Sequence, residues 1–216
     1  MKSHRIAIIG GGNLGKSVAE GLLEGGFVQP SQITVTRRKI ELLKPLQQRG
    51  VHTIIDNSTA IESSDVIVVA LKPFNVKDVL AELKDSFDPK RHILISVVTG
   101  VTLKELTALL PEGTPIFRAM PNTAIAIRES VTCLCHRGAT NDQVNYVTDL
   151  FNQLGISLSI DEKLMDAATV LGACGIAYAL RFIRAVTQGG IEIGFDARTA
   201  NLIASQTVKG AAELLL

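Results

Sequence analysis

A chain of 216 residues, 46% hydrophobic and 20% charged, has material for one large domain and a smaller one, and is too apolar to be disordered. Its 22 lysines and arginines against 21 acids leave a net charge of +1, so no long-range field recruits nucleic acid or an anionic membrane. After Met1, Lys2, Ser3, His4 and Arg5 come only four apolar residues before the glycines begin, too few for a signal peptide. The aliphatic run from Val66 to Leu71 is likewise far below the ~20 residues of a membrane helix, and a cytoplasmic protein is expected.

In chain order, residues 5–9 form a first aliphatic strand that runs into Gly10, Gly11, Gly12, Asn13, Leu14 and Gly15, after which Leu14, Val18 and Leu22 recur at helical spacing. This is the dinucleotide pattern. The first glycine makes the tight turn, the second lets backbone approach a pyrophosphate, and the third lets the helix pack closely. The helix N-terminus then offers free N–H groups to the phosphates. Residues 32–36 form the next strand, ending at Thr36, Arg37 and Arg38, where NAD enzymes carry an acid for the ribose 2′-hydroxyl. No acid stands there, and Asp56 lies too far along to substitute. Two arginines suit a 2′-phosphate and favour NADP(H); a solvated basic turn is the competing reading.

Strands follow at residues 66–70, 92–97, 115–120, 131–136 and 156–160. Between them Val76, Val79, Leu80 and Leu83 mark one helix face, and Thr102 with Glu105 has the spacing of a capping box that opens a helix through Leu110, stopped by Pro111. Strands alternating with helices predict an α/β fold, a Rossmann-type doubly wound parallel sheet over residues 1–160. Cys133, Cys135 and His136 look like metal ligands. Strand alternation puts the two cysteines on one face and the histidine on the other, and no second cluster follows, so buried strand thiols and no metal are expected. With Cys174 the count is three, which argues for reduced thiols.

Beyond Ile160, Asp161 caps a long helix from Glu162 toward Thr187, loosened near Gly172 and Gly175 and ended by Gln188, Gly189 and Gly190. Asp196 caps a last helix from Ala197. Residues 161–216 are therefore expected to form an all-helical domain. Leu214, Leu215 and Leu216 carry no helix-stop signal, as if a larger domain were cut. Ile183, Val186, Ile191, Ile193, Leu202, Ile203 and Val208 are too many apolar residues for about two helices to bury, which predicts a homodimer or a higher assembly of dimers.

Four further segments name a family: Ala70, Leu71, Lys72 and Pro73 after one strand; Ser96 to Gly100 after the next; Arg118, Ala119, Met120, Pro121, Asn122 and Thr123; and Gly172 to Tyr178. Together they resemble pyrroline-5-carboxylate reductase over essentially the whole chain. The resemblance implies that Ile9 to Gly15 hold the pyrophosphate, and that Arg37 with Thr36 and Arg38 holds the adenosine phosphate. Asn57, Ala70, Leu71, Lys72, Pro73 and Thr99 would take the nicotinamide half. Met120, Pro121, Asn122 and Glu162 would face the substrate, and the helical domains would exchange between two copies. Ala124 and Ile176 stand where the family has proline and Ser130 where it has glycine, and the family's downstream carboxylate-binding, proton-donating motif would fall beyond Leu216. No catalytic residue is assigned.

The implied reaction moves hydride from NADPH to the C=N carbon of 1-pyrroline-5-carboxylate, giving proline. A protonated imine is already electrophilic, so the protein mainly holds two rings face to face and excludes water. This agrees with a sequence in which His4, His52, His92 and His136 all fall on strands or edges. A β-hydroxyacid dehydrogenase shares the architecture but uses a lysine on the first helix of its second domain, and none occurs between Lys163 and Lys209. A non-catalytic NADP-binding homologue is the other alternative.

Overall fold

Side-chain alternation along each strand divides the aliphatic residues between two faces of one sheet, each covered by helices. In the computed structural model, which describes residues 4–216, the strands are β1 (Ile6–Ile9), β2 (Ile33–Thr36), β3 (His52–Ile54), β4 (Val66–Val69), β5 (Ile93–Ser96), β6 (Ile116–Met120), β7 (Ser130–Arg137) and β8 (Gly155–Ser159). The expectation drawn from Met1, Lys2 and Ser3 lies outside the described residues. The order is β3-β2-β1-β4-β5-β6-β7-β8. On one face Ile6 and Ile8 join Val18 and Leu22 of α1 (Asn13–Glu24), Leu46 of α2 (Lys44–Gln48), and Val147 and Phe151 of α6 (Asn141–Asn152). On the other, Ala7 and Ile9 join Ile61 of α3 (Asn57–Glu62), Leu80 of α4 (Pro73–Glu82) and Leu106 of α5 (Leu103–Leu109). Each fully buried leucine or isoleucine contributes about 1.5–3 kcal/mol, so the sheet core dominates the stability of this part of the chain.

Two features depart from the sequence reading. β3 is a three-residue edge strand paired with β2, too short and too polar to register as a hydrophobic pattern. β7 runs antiparallel to β6 rather than parallel. Only residues 121–129 connect them, and a parallel crossover needs a dozen or more. α6 then supplies a full crossover, and β8 pairs parallel with β7. Cys133 and Cys135 face the same side, as alternation requires; Cys135 is buried and its thiol is pushed up to about 11 by that burial.

The capping box at Thr102 is present, with the threonine hydroxyl accepting the Glu105 N–H and the Glu105 carboxylate accepting the Thr102 N–H. Bonds from the Thr102 backbone and side chain, with Lys77 beside them, hold the Glu105 carboxyl down to about 2. The cap is therefore intact above the ordinary glutamate range and is lost as pH falls from about 4.3 through the folded value. An NMR titration should place the Glu105 midpoint near 2, and Thr102→Ala should move it up toward the ordinary range. An unmoved midpoint in the variant would credit the retained backbone N–H of residue 102 and Lys77 rather than the threonine hydroxyl.

The chain forms two compact units, one ending at Ala173 and a second, Cys174–Leu216. The first unit closes with a 3₁₀ turn (Glu162–Leu164), α7 (Met165–Ala168) and a π-helical turn (Thr169–Ala173). The second holds α8 (Gly175–Glu192) and α9 (Ala197–Glu213), joined through Gly194 at φ +112° and capped by Asp196. The expected stop at Gly189 and Gly190 does not occur, because the helix continues to Glu192. Gly190 lies where an added Cβ would approach Ala200 to 3.0 Å, so this glycine serves helix packing rather than helix termination. α8 has no buried residue, and in α9 only Ala200 and Ala204 are buried. By length and composition alone, the helical stretch Glu162–Glu192 is long and apolar enough to cross a membrane, although no continuous aliphatic run marks it in the sequence.

Candidate active site

Ligands of open α/β sheets bind beyond the carboxyl ends of strands, where the strand order reverses. Here the chain moves from β1 outward to β2 and β3, then returns to the other side of β1 with β4, so the switch point lies between β1 and β4. The glycine turn follows β1 at this point. Gly10 has φ +109°, and a Cβ there would press to 2.5 Å from the Ala70 carbonyl oxygen, while one on Gly15 would run into the Gly10 carbonyl. Gly12 is exposed, and an added Cβ would meet nothing within 4 Å. The turn is thus closed beneath and open above, a cradle that fits a pyrophosphate over Gly11 to Leu14 and the N-terminus of α1.

The end of β2 braces this turn. The Thr36 carbonyl accepts the Gly11 N–H at 2.7 Å, its hydroxyl accepts the Gly10 N–H at 3.3 Å, and Arg37 donates through Nη1 to the Gly11 carbonyl at 2.7 Å. Arg37 is half-buried, whereas Arg38 is exposed. Asp56 is engaged as the cap of α3, accepting the Ser58 and Thr59 N–H groups, and Asn57 opens that helix. Those bonds, led by the one from the Thr59 hydroxyl, hold the Asp56 carboxyl below the usual range.

Along the same edge Ala70 and Leu71 follow β4, and Lys72 stands exposed as the cap residue of α4, with Pro73 at its first turn. Next to it, the exposed Thr99 ends the segment after β5, its hydroxyl 3.9 Å from Met120 Sδ. Met120, Pro121 and Asn122 are buried after β6. Asn122 is held on all sides: its N–H donates to Ser130 Oγ, its Oδ1 accepts the Ala124 N–H, and its Nδ2 donates to the Gly172 carbonyl. Proline at position 124 and glycine at position 130 would each remove one of these bonds, so the departures from the family pattern tighten this corner.

Glu162 lies in the first unit beside β6. Its Oε1 accepts from Arg118 Nη1 at 2.8 Å and from the Leu103 N–H at 2.6 Å. Arg118, 4% exposed, had no assigned role in the sequence reading. A lone arginine inside Ile116, Phe117, Ala119 and Met120 is the signal that could have singled it out, since a buried guanidinium requires an anion. Among the histidines, His92 is buried, and burial lowers its pKa while Nδ1 accepts the Asp88 N–H, a structural setting.

A strand, a glycine turn and a helix at the switch point of a mostly parallel sheet define a Rossmann-type dinucleotide-binding protein. Comparison with known proteins narrows this. Residues 5–100 match the family model described as NADP oxidoreductase coenzyme F420-dependent, and residues 162–216 match the model for pyrroline-5-carboxylate reductase dimerisation. Pyrroline-5-carboxylate reductase 2 of Dictyostelium discoideum is 37% identical over 98% of this chain and 76% of that protein. Pyrroline-5-carboxylate reductase 1 of the same organism is 40% identical over 98% of this chain, which spans only 40% of that protein's length. A Plasmodium falciparum pyrroline carboxylate reductase solved with NADP bound has a TM-score of 0.91 at 25% identity, covering all of this chain and 79% of that one. The chain belongs to the pyrroline-5-carboxylate reductase family.

Proposed function

We propose that this chain reduces 1-pyrroline-5-carboxylate to proline with NADPH. The observation that carries the reading is the order of groups along one sheet edge in a member of this family. From β2 across to β6 these are an exposed arginine, an open glycine cradle, a lysine at a helix start, and a buried wall after β6 beside Thr99. A bound reduced nicotinamide would supply the hydride. Ile9 to Gly15 would hold the pyrophosphate, Arg38 with Thr36 and Arg37 the adenosine phosphate end, and Ala70 to Pro73 with Thr99 the nicotinamide half; Asn57 is assigned there too. Met120, Pro121 and Asn122 would form a buried wall for the cyclic imine, with Glu162 beside it.

In the reaction, hydride adds to the C=N carbon and the protonated nitrogen becomes the ring amine. The residues orient the rings and exclude water, which accounts for the lack of a placed histidine acid. Residues 1–160 would serve the cofactor and 161–216 dimerisation, the stretch from Glu162 to Ala173 belonging structurally to the first compact unit. The homodimer would cover the exposed faces of α8 and α9, so the apolar helix would meet a second copy rather than lipid, consistent with a cytoplasmic enzyme without membrane or nucleic-acid partners. The test is NADPH consumption with 1-pyrroline-5-carboxylate and detection of proline. Tight NADPH binding without proline formation would instead identify a non-catalytic homologue.

A further inference from the structure

Charge inside an apolar layer is the anomaly. β6 alternates Ile116, Arg118 and Met120 toward the face that also holds Leu103, Leu106, Cys135 and Met165. The desolvation of a guanidinium in such a place is offset only by a closely held anion. Glu162 supplies it at 2.8 Å, while Arg118 Nε is buried with no partner among the described residues. For stability alone, an apolar pair of the same volume serves as well or better. What an apolar pair lacks is the second bond of the same carboxylate oxygen, to the Leu103 N–H at 2.6 Å, the first residue of α5.

This oxygen therefore ties three elements: β6, the start of α5 directly after the 99–102 loop, and the helical segment beginning at 162. A second tie joins the same regions at the other end, where Asn122 Nδ2 donates to the carbonyl of Gly172 inside the π-helical turn. π turns leave carbonyls out of the regular ladder, and this one has found a side-chain donor. Between the two ties lie Thr99 and Met120, the pair that reaches across from β5 to β6.

We propose that Arg118 and Glu162 are positioning residues: they fix the 99–102 loop, which carries Thr99, against the Met120 wall and so set the spacing between the nicotinamide and substrate sides of the crevice, without either group acting on the substrate. The idea rests on the reductase reading above. It gives Glu162 a role through the two donors that share its Oε1, rather than through contact with the substrate.

The experiment compares Glu162→Ala, Glu162→Gln and the double variant Arg118→Met with Glu162→Leu, following melting temperature, NADPH dissociation constant, and kcat and KM for 1-pyrroline-5-carboxylate. Glu162→Ala should lower kcat about 30-fold by misplacing reacting groups, with NADPH binding within about twofold, because the cradle lies on other strands. Glu162→Gln keeps an oxygen for the Leu103 N–H and should retain most of kcat. The double variant is decisive. Its melting temperature should return to the unmutated value while kcat stays low; recovery of kcat together with stability would mean the pair is merely structural and would overturn the proposal. If the unmutated chain forms no proline, the reductase reading fails on its own account, and amide exchange then tests the tie. Leu103 protection that disappears in the stable double variant supports it, and unchanged protection overturns it.

Discussion

Arg38→Gln is expected to raise the NADPH dissociation constant about 30-fold, the value of one charged hydrogen-bonded contact of about 2 kcal/mol, and to leave NADH within about twofold. The reasoning starts from the different settings of two adjacent arginines. Arg37 is half-buried with Nη1 on the Gly11 carbonyl, so it braces the glycine turn, over which the pyrophosphate of either cofactor would lie. Arg38 is exposed at the end of β2, where only the extra phosphate of NADPH would reach it. Arg37→Ala should therefore weaken both cofactors together. Fluorescence titration of each variant with each cofactor separates the roles, and equal losses for NADPH and NADH in Arg38→Gln would remove the phosphate clamp.

The second large effect concerns self-association. Tyr178, Phe182 and Val186 succeed one another at four-residue intervals along α8, exposed by 58%, 60% and 44%. A helix with no buried residue, carrying such a stripe, has its core elsewhere. In a dimer, Phe182→Glu would put a carboxylate into that apolar seam at a cost of several kcal/mol, raising the dimer dissociation constant about 1000-fold or more. Light scattering at micromolar concentration should show a dimer for the unmutated chain and a monomer for the variant. A well-ordered monomer in both would sink the shared-core idea.

What the sequence disclosed and concealed follows from the range of each signal. The glycine turn is a local pattern, set by strand, turn and helix within about twenty residues, and Gly10, Gly12 and Gly15 occupy the three settings that the pattern requires. Strand direction has no local signature. β7 reads the same forward or reversed, and only the shortness of the 121–129 connection reveals its sense. Gly189 and Gly190 misled because glycine both ends helices and admits neighbours, and Ala200 decides between these only once α9 is in place. The bond of Arg118 to Glu162 spans 44 residues with nothing between to announce it. Its trace is a charge where the strand pattern demands an aliphatic residue.

The strand order has a further consequence during synthesis. β1 finds β2 soon, but its other neighbour is β4, with Ile6 opposite Val66, sixty residues later. At about 5–20 residues per second, β4 leaves the ribosome roughly 3–12 seconds after β1. Until then Ile6 to Ile9 offer an unpaired aliphatic edge, and Gly10 lacks the Ala70 carbonyl against which its turn is seated. One side of the cradle, held by Thr36 and Arg37, can thus form early, while its Ala70 side and the sheet centre are completed by the same event, the arrival of β4.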